Sequence, residues 1–182
     1  MLVECSKTIE IDAGHRVTNH GGKCRNMHGH RYRIEAFVVL DHGGVQSEGS
    51  SEGMVVDFGF LKADMTEVIA DPCDHAFIAW AYDDEVLKAF FRSDESLALS
   101  TPDEQCQHVR DTLALRLGTE EQGGIRLELG LGRLYVVPFV PTAENLAIHW
   151  GRLLRTLWLQ RGVRITRIRV HETPTSVAEV SF

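Results

Sequence analysis

The sequence predicts an α+β domain in which helices pack on one face of an antiparallel sheet. Three observations favour this class: strand-like alternation near both ends of the chain, a clearly amphipathic helix before the last strands, and the order strand, strand, helices, strand, strand. The 182 residues are enough to bury one core, so we expect a single domain over residues 1–182.

Composition narrows the class of protein. Hydrophobic residues make up 43% and charged residues 25% of the chain, as in ordinary globular proteins. The net charge of −7 does not favour a nucleic-acid partner. The chain shows neither a signal-peptide pattern nor a bilayer-length apolar run, so we expect no membrane partner and a cytoplasmic location. Without CxxC spacing, free thiols are expected at Cys5, Cys24, Cys73 and Cys106.

Two strands are predicted before the first helix. Residues 3–11 contain spaced β-forming side chains, and residues 30–40 show a stronger alternation. One face of the second strand is apolar: Tyr32, Ile34, Ala36 and Val38. The Gly- and Ser-rich residues 41–53 predict a loop.

A helix follows over residues 60–70, with Asp57 as its N-cap and Pro72 as its end. Its apolar residues recur at helical spacing: Leu61, Met65, Val68 and Ile69. Further helices are predicted over 83–91 and 101–117, the second opened by Thr101 and Pro102.

The polar stretch 92–124 suggests an insertion on a smaller scaffold, which we place around residues 81–138. Two short strand-like runs follow it, on either side of Gly130 and Gly132.

The clearest helix covers residues 141–162, with Thr142 as N-cap, Asn145 in the first turn and Gly162 as the stop. Strands are then expected over 163–173 and 176–182.

Three histidines form the first candidate site. His28 and His30 are two apart at the start of a strand, so their side chains point to one face. His15 follows the preceding strand, and the two strand ends are neighbours in a hairpin. Three imidazoles with an open fourth position are typical of a catalytic zinc site. The alternative is that these are surface loop histidines.

Cys24 lies four residues before His28, in a Gly-rich loop. Its position is compatible with a zinc ligand, a nucleophile, a base or an inert thiol.

Asp74 and His75 follow Pro72 directly. A carboxylate can orient an imidazole for proton transfer, but taken alone the pair favours an Asp that caps its own backbone in a turn.

Glu172 shares a strand face with Ile168 and Val170. A carboxylate at the edge of an apolar face is costly unless it is paired or binds a ligand, and the heterocyclic edge of a guanidine-like ligand offers two hydrogen-bond donors. A solvated strand end is the alternative.

Six segments, taken together, carry a family resemblance: GHR (14–16), GKCRNMHGHRYRIE (22–35), GMVVDF (53–58), DH (74–75), PTAENLA (141–147) and HET (171–173). In this order they resemble the 6-pyruvoyltetrahydropterin synthase and 6-carboxytetrahydropterin synthase family. The CxxxHGH spacing from Cys24 to His30 is similar to the carboxy-forming branch.

The resemblance implies the tunnelling fold (T-fold) of ββααββ type, usually a hexamer of two trimers with active sites at subunit interfaces. It implies Zn²⁺ as cofactor and 7,8-dihydroneopterin triphosphate as substrate. The matching zinc ligands are His15, His28 and His30. The matching catalytic residues are Cys24, Asp74 and His75, and the matching pterin-binding residues are Glu172 and Thr173. The carboxy-forming branch yields 6-carboxy-5,6,7,8-tetrahydropterin, acetaldehyde and triphosphate, and serves the pathway to 7-deazaguanines such as queuosine.

Other readings remain open. A pyruvoyl-forming reaction, side-chain cleavage of dihydroneopterin and a non-catalytic metal-binding scaffold are the alternatives, and the joint presence of the catalytic and pterin-binding residues disfavours the last. The run AFIAW after His75 departs from the family's usual leucine–asparagine pair. Any of five basic residues is a candidate to face a triphosphate: Arg16, Lys23, Arg25, Arg31 and Arg33.

Overall fold

The computed structural model describes residues 1–94, 100–117 and 123–182. Within them, seven strands form one mixed sheet in the order β4-β5-β3-β1-β2-β6-β7. The strands are β1 (Cys5–His15), β2 (His28–Leu40), β3 (Ala76–Trp80), β4 (Ile125–Leu129), β5 (Gly132–Val137), β6 (Val163–Thr173) and β7 (Ser176–Ser181).

The helices are α1 (Phe58–Met65), α2 (Asp71–Cys73), α3 (Asp84–Arg92), α4 (Pro102–Leu117) and α5 (Ala143–Leu159). A π-helical turn, Thr66–Ala70, joins α1 to α2, and a short 3₁₀ turn, Lys23–Arg25, lies in the β1–β2 connection. No helix among the described residues is long and apolar enough to span a bilayer. All four cysteines are free thiols, as predicted.

The antiparallel half of the sheet matches the prediction. The strands β1, β2, β6 and β7 pair antiparallel in sequence order. Their inner face packs on α1 and α5 in one large core, in which Tyr32, Ile34 and Trp150 are fully buried. The α+β class and the hairpins at both ends are therefore confirmed.

The other half differs from the prediction of an antiparallel sheet with helices on one face only. β3 pairs parallel with both β1 and β5. Ile78 of β3 faces the large core, whereas Ala79 faces a second core that α3 and α4 cover on the opposite side of the sheet. Strands that are buried on both faces read as continuous apolar runs, which is why the alternation rule missed β3 in the sequence AFIAW.

Some element boundaries also differ from the expectation. β1 continues to His15 rather than ending near residue 11, and β2 begins at His28. The helical chain continues one residue past Pro72 because Asp71 donates its N–H to the Thr66 carbonyl in the wider π turn. A proline near the start of the short α2 segment is tolerated there.

Helix caps follow the sequence closely. The Asp57 side chain accepts a hydrogen bond from the Gly59 N–H, and the Thr142 hydroxyl accepts one from the Asn145 N–H. Gly162, past the end of α5, has a φ of 71°, a conformation that favours glycine. Residues 95–99 and 118–122 of the predicted insertion lie outside the described residues.

A buried polar pair joins α5 to β5 beneath the sheet. The ring Nε2 of His149 lies 2.8 Å from the Tyr135 hydroxyl oxygen, which also accepts the Gly124 N–H. Burial, with a smaller contribution from Arg152, lowers the pKa of His149 to about 4. The neutral imidazole is therefore the folded form at neutral pH.

The lowered pKa of His149 predicts that the free energy of unfolding depends on pH. Because the unfolded chain protonates His149 near pH 6.5 and the folded chain only near pH 4, unfolding takes up a proton between these values. The contribution is fully present above pH 6.5, falls as the pH drops, and reaches a loss of about 3 kcal/mol near pH 4. Urea unfolding at several pH values should show a shallower acid-side loss in His149→Phe than in the wild type. Parallel curves for the two proteins would contradict the assignment.

Candidate metal centre and active site

The β1–β2 register brings the three histidines together. His15 and His28 are directly opposed across the antiparallel pair, and His30 lies two residues along β2 on the same face. Their ring centroids are 4.5, 5.2 and 5.0 Å apart, and one ligand nitrogen from each ring lies within 4.8 Å of the others. The group can therefore hold a single metal ion, as the sequence predicts.

Backbone carbonyls fix which ring nitrogens are available. The Nδ1 atoms of His15 and His28 lie 2.7 Å from the carbonyl oxygens of Pro141 and Asn26. A carbonyl oxygen only accepts, so each Nδ1 carries the proton and each Nε2 keeps its lone pair. This is the tautomer that a metal ligand requires.

The surroundings of the histidines favour their neutral, metal-binding form. His15 is 1% exposed, and its Nε2 is a buried nitrogen without a hydrogen-bond partner. Burial lowers the pKa of His15, and it also lowers the pKa of His30. An unpartnered buried nitrogen that faces two other imidazoles is costly unless it binds something, and a cation satisfies all three.

Glu172 lies beside the three histidines rather than in open solvent. It is the last inward-facing residue of β6, and its carboxylate is 3.6 Å from the Nε2 of His15 and 3.9 Å from that of His30. This position favours a ligand-binding role for Glu172 over the alternative that it is only a solvated strand end. Thr173 follows on the strand, and its hydroxyl accepts the Thr175 N–H.

Cys24 lies in the short 3₁₀ turn of the β1–β2 connection and is partly buried. It lines a cavity of about 230 Å³ together with His15 and Glu172. The structure thus brings the thiol to the side of the histidine cluster on which Glu172 lies.

Asp74 and His75 form a defined pair. The Asp74 carboxylate lies 3.1 Å from Nδ1 of His75 and accepts the Asp12 N–H with its other oxygen. His75 has a φ of 57°, held by the bond from its own N–H to the Asp12 carbonyl. A non-glycine residue in this region is strained, so the backbone is constrained to present this imidazole. The Asp74 carboxylate thus accepts a backbone N–H of β1 rather than one of its own turn.

One chain does not bring His75 to Cys24. His75 is exposed and lines a different cavity, of about 600 Å³, with His30, Arg31 and Arg133. His30 also contributes to a third cavity beside Glu172 and Thr173. The histidine cluster therefore lies between the cavity of the thiol and that of the Asp–His pair.

Of the five basic residues that are candidates to face a triphosphate, two already form ion pairs with carboxylates. Arg16 is bound to Asp83, and Arg31 pairs with Asp12 at 3.0 Å. The remaining candidates form no ion pair with a carboxylate among the described residues: Lys23, Arg25 and Arg33. A guanidinium nitrogen of Arg33 lies 2.9 Å from the His171 ring.

Sequence reasoning missed the groups that orient the ligands. Pro141 and Asn26 act through their carbonyl oxygens, which side-chain chemistry does not reveal. The only available signal was position, since Pro141 precedes the capped helix α5 and Asn26 precedes the HxH pair.

Comparison with known proteins agrees with this geometry. The family model for 6-pyruvoyl tetrahydropterin synthase matches residues 4–181. The chain is 31% identical over 178 residues to a 6-carboxy-5,6,7,8-tetrahydropterin synthase of Haemophilus influenzae, covering 98% of each protein. A protein of the same name from Rickettsia bellii is 30% identical over 182 residues, covering 98% of this chain and all of that one.

Solved structures share the fold. An uncharacterized protein from Wolinella succinogenes matches all of this chain and 98% of its own, with a TM-score of 0.65 at 24% identity. A 6-pyruvoyl tetrahydropterin synthase from Caenorhabditis elegans has a TM-score of 0.55 at 20% identity, covering 99% and 95% of the two chains. The predicted T-fold is thus confirmed.

The cluster predicts metal loss on removal of any one imidazole. We expect His28→Ala to reduce bound divalent metal at least about tenfold, because two remaining nitrogens cannot complete the site. Metal analysis of purified protein measures this. The matched control is His20→Ala, a loop histidine that hydrogen-bonds to the Gly22 N–H and lies outside the cluster. Full metal content in the His28 variant would contradict the ligand set.

Proposed function

The chain belongs to the 6-pyruvoyl tetrahydropterin synthase family, and on that premise we propose that it is a zinc-dependent lyase. It converts 7,8-dihydroneopterin triphosphate to 6-carboxy-5,6,7,8-tetrahydropterin, acetaldehyde and triphosphate. The observation that carries the proposal is the convergence of three imidazoles beside Glu172, two of which, those of His15 and His28, have their tautomer fixed by a backbone carbonyl. The names of the full-length relatives support the carboxy-forming reaction over its alternatives.

Zinc fits the donor set. Three imidazole nitrogens from His15, His28 and His30 leave one coordination position open, which is the pattern of catalytic rather than structural zinc sites. When bound, the ion supplies Lewis acidity toward the hydroxyl-bearing side chain of the substrate.

Glu172 and Thr173 are proposed to anchor the pterin. The heterocycle presents two adjacent N–H groups on its amino-pyrimidine edge, and the two oxygens of a carboxylate accept such a pair side by side. With Glu172 next to His15, an anchored ring would place its side chain over the cluster.

Cys24 is proposed as the base. Cys24 lines the cavity of His15 and Glu172, and we propose that its thiolate removes a side-chain proton of the substrate there. Asp74 would keep the His75 ring oriented, and His75 would return a proton to the substrate.

We further propose that two chains complete each site. Cys24 and His75 line separate cavities of one chain, and His75 is exposed with its backbone held in a strained conformation. A neighbouring copy that presented His75 to the Cys24 cavity would reconcile both observations. A hexamer of two trimers is the assembly that the family resemblance suggests.

Two further expectations stand as proposals. Residues 81–138 are interpreted as an addition to the family's single domain, since α3 and α4 form a core of their own against β3 and β5. A cytoplasmic location suits an enzyme whose thiol must stay reduced.

Product analysis tests the reaction. Zinc-loaded protein is incubated with 7,8-dihydroneopterin triphosphate, and acetaldehyde, triphosphate and the pterin product are identified by mass spectrometry. Acetaldehyde in equal amount to 6-carboxytetrahydropterin supports the proposal. A 6-pyruvoyl product, or a pterin without a C6 side chain, would replace it with one of the sibling reactions.

Replacing the thiol tests the assigned base. Cys24→Ala should lower kcat at least about 100-fold while zinc stays bound, because a positioned base contributes 10²–10⁴-fold. Steady-state kinetics and metal analysis measure the two effects. The control Cys5→Ala removes a thiol at the start of β1, away from the cavity, and should retain kcat. Unchanged turnover in Cys24→Ala would exclude this role.

Mixing inactive variants tests whether the site is shared. Co-expressed Cys24→Ala and His75→Ala chains should recover about one quarter of wild-type activity, because a quarter of shared sites receive both intact residues. Native mass spectrometry verifies that mixed oligomers form. Mixing Cys24→Ala with His15→Ala is the control and should recover nothing, since both changes affect the same half. Absence of recovery in verified mixed oligomers of the first pair would contradict a shared site.

A further inference from the structure

We propose that Asp83 is a positioning residue for the reaction, which fixes the connection that carries Cys24. This connection, residues 16–27, is called the Cys24 loop below. The inference rests on the proposed function for its kinetic part, but its geometric part concerns the Cys24 loop alone. No motif of the sequence pointed to Asp83, which lies outside every segment of the family resemblance.

Asp83 is a buried carboxylate with an unusually full set of partners. Only 2% of the residue is exposed. Arg16 donates to both of its oxygens, through Nε at 2.6 Å and through Nη2. The Thr18 hydroxyl donates at 2.8 Å and the Val86 N–H at 3.3 Å. Burial would raise the pKa of Asp83, but the bonds from Arg16 and Thr18 outweigh it and hold the pKa below its ordinary value.

The partners of Asp83 lie on both sides of the residue that holds the Cys24 turn. Val17 sits between Arg16 and Thr18, and its N–H donates to the Cys24 carbonyl at 2.8 Å. The Asp83 carboxylate therefore binds the residues immediately before and after Val17, the residue that holds the Cys24 turn. Arg16 is also the residue next to the ligand His15, so the same contact fixes the thiol relative to the cluster.

The other end of this contact is rigid. The Asp83 N–H donates to the Trp80 carbonyl at 2.9 Å, at the end of β3. Asp83 is the N-cap of α3, whose Val86, Leu87 and Phe90 are buried in the second core. A loop tied to a packed helix end is held more precisely than one tied to another loop.

Helix capping alone does not account for these contacts. An N-cap side chain accepts one hydrogen bond from a backbone N–H of the first helical turn, and Asp83 accepts that bond from the Val86 N–H. The remaining three bonds go to the Cys24 loop, more than 60 residues earlier in the chain. Asp83 thus joins the segment 81–138 to the catalytic connection.

The test compares Asp83→Asn with Asp84→Asn. Asparagine is an equally good N-cap, so Asp83→Asn keeps the helix start and removes the charge that holds Arg16 and Thr18. Asp84 occupies the same helix end but pairs with Arg110 and Lys88, outside the Cys24 loop. For each protein we measure zinc content, kcat, KM, and the rate at which iodoacetamide alkylates Cys24 without substrate, followed by peptide mapping.

For Asp83→Asn we expect unchanged zinc, a KM within about threefold of the wild type and a kcat about tenfold lower, since a misplaced base affects the chemical step. Cys24 alkylation should be at least about threefold faster because the partly buried turn opens. Asp84→Asn should match the wild type in all four measurements. Wild-type kcat and alkylation in Asp83→Asn, or the same losses in Asp84→Asn, would overturn the proposal.

A milder variant keeps the proposal testable if Asp83→Asn does not fold. Thr18→Val has the same shape and removes one of the bonds to Asp83. It should accelerate Cys24 alkylation and lower kcat in the same direction by a smaller factor, and wild-type values for both would overturn the proposal. Because alkylation needs no substrate, a failure of the lyase assignment shows instead as absence of product from the wild type.

Discussion

The pairing register of β1 and β2 is the constraint on which the candidate site depends. It opposes His15 to His28 and places His30 two residues further on the same face. A slip by one residue would turn the β2 histidines to the opposite face and would expose Tyr32 and Ile34, both fully buried here. The buried residues of β2 therefore determine the register, and the register in turn determines where the histidines lie.

The remaining structure supports this hairpin from two directions. On the core side, the chain entering α5 supplies the Pro141 carbonyl that fixes the His15 tautomer, and the Thr142 cap holds that helix start in place. At the neighbouring edge, β3 pairs with the end of β1, and its parallel partner β5 is covered on both faces. The parallel half thus stiffens the strand end that carries His15.

Local signals explain what the sequence predicted well. The HxH pair, the alternation of β2, and the caps at Asp57 and Thr142 each depend on residues close in sequence, and each is confirmed. The strand β3 was missed because burial on two faces removes alternation, and the covering of that face by α3 and α4 was missed with it. The Pro141 carbonyl lies 126 residues from His15, and Asp83 lies 65 residues from Thr18, so no local pattern encodes these contacts. The Asn26 carbonyl is only two residues from His28, but a backbone acceptor has no side-chain signature in the sequence.

The π-helical turn between α1 and α2 sets the direction in which the chain leaves the helix. Its hydrogen bond runs from the Asp71 N–H to the Thr66 carbonyl, so this turn holds one more residue than an α-helical turn and absorbs it without rotating the following chain further. The emerging backbone therefore meets the Asp12 peptide unit, where both Asp74 and His75 are bound. If the same residues were wound as a regular α-helix, the following chain would be rotated by about 100° and the Asp–His pair would turn away from Asp12. The extra residue of the π turn therefore determines the direction in which the His75 imidazole points.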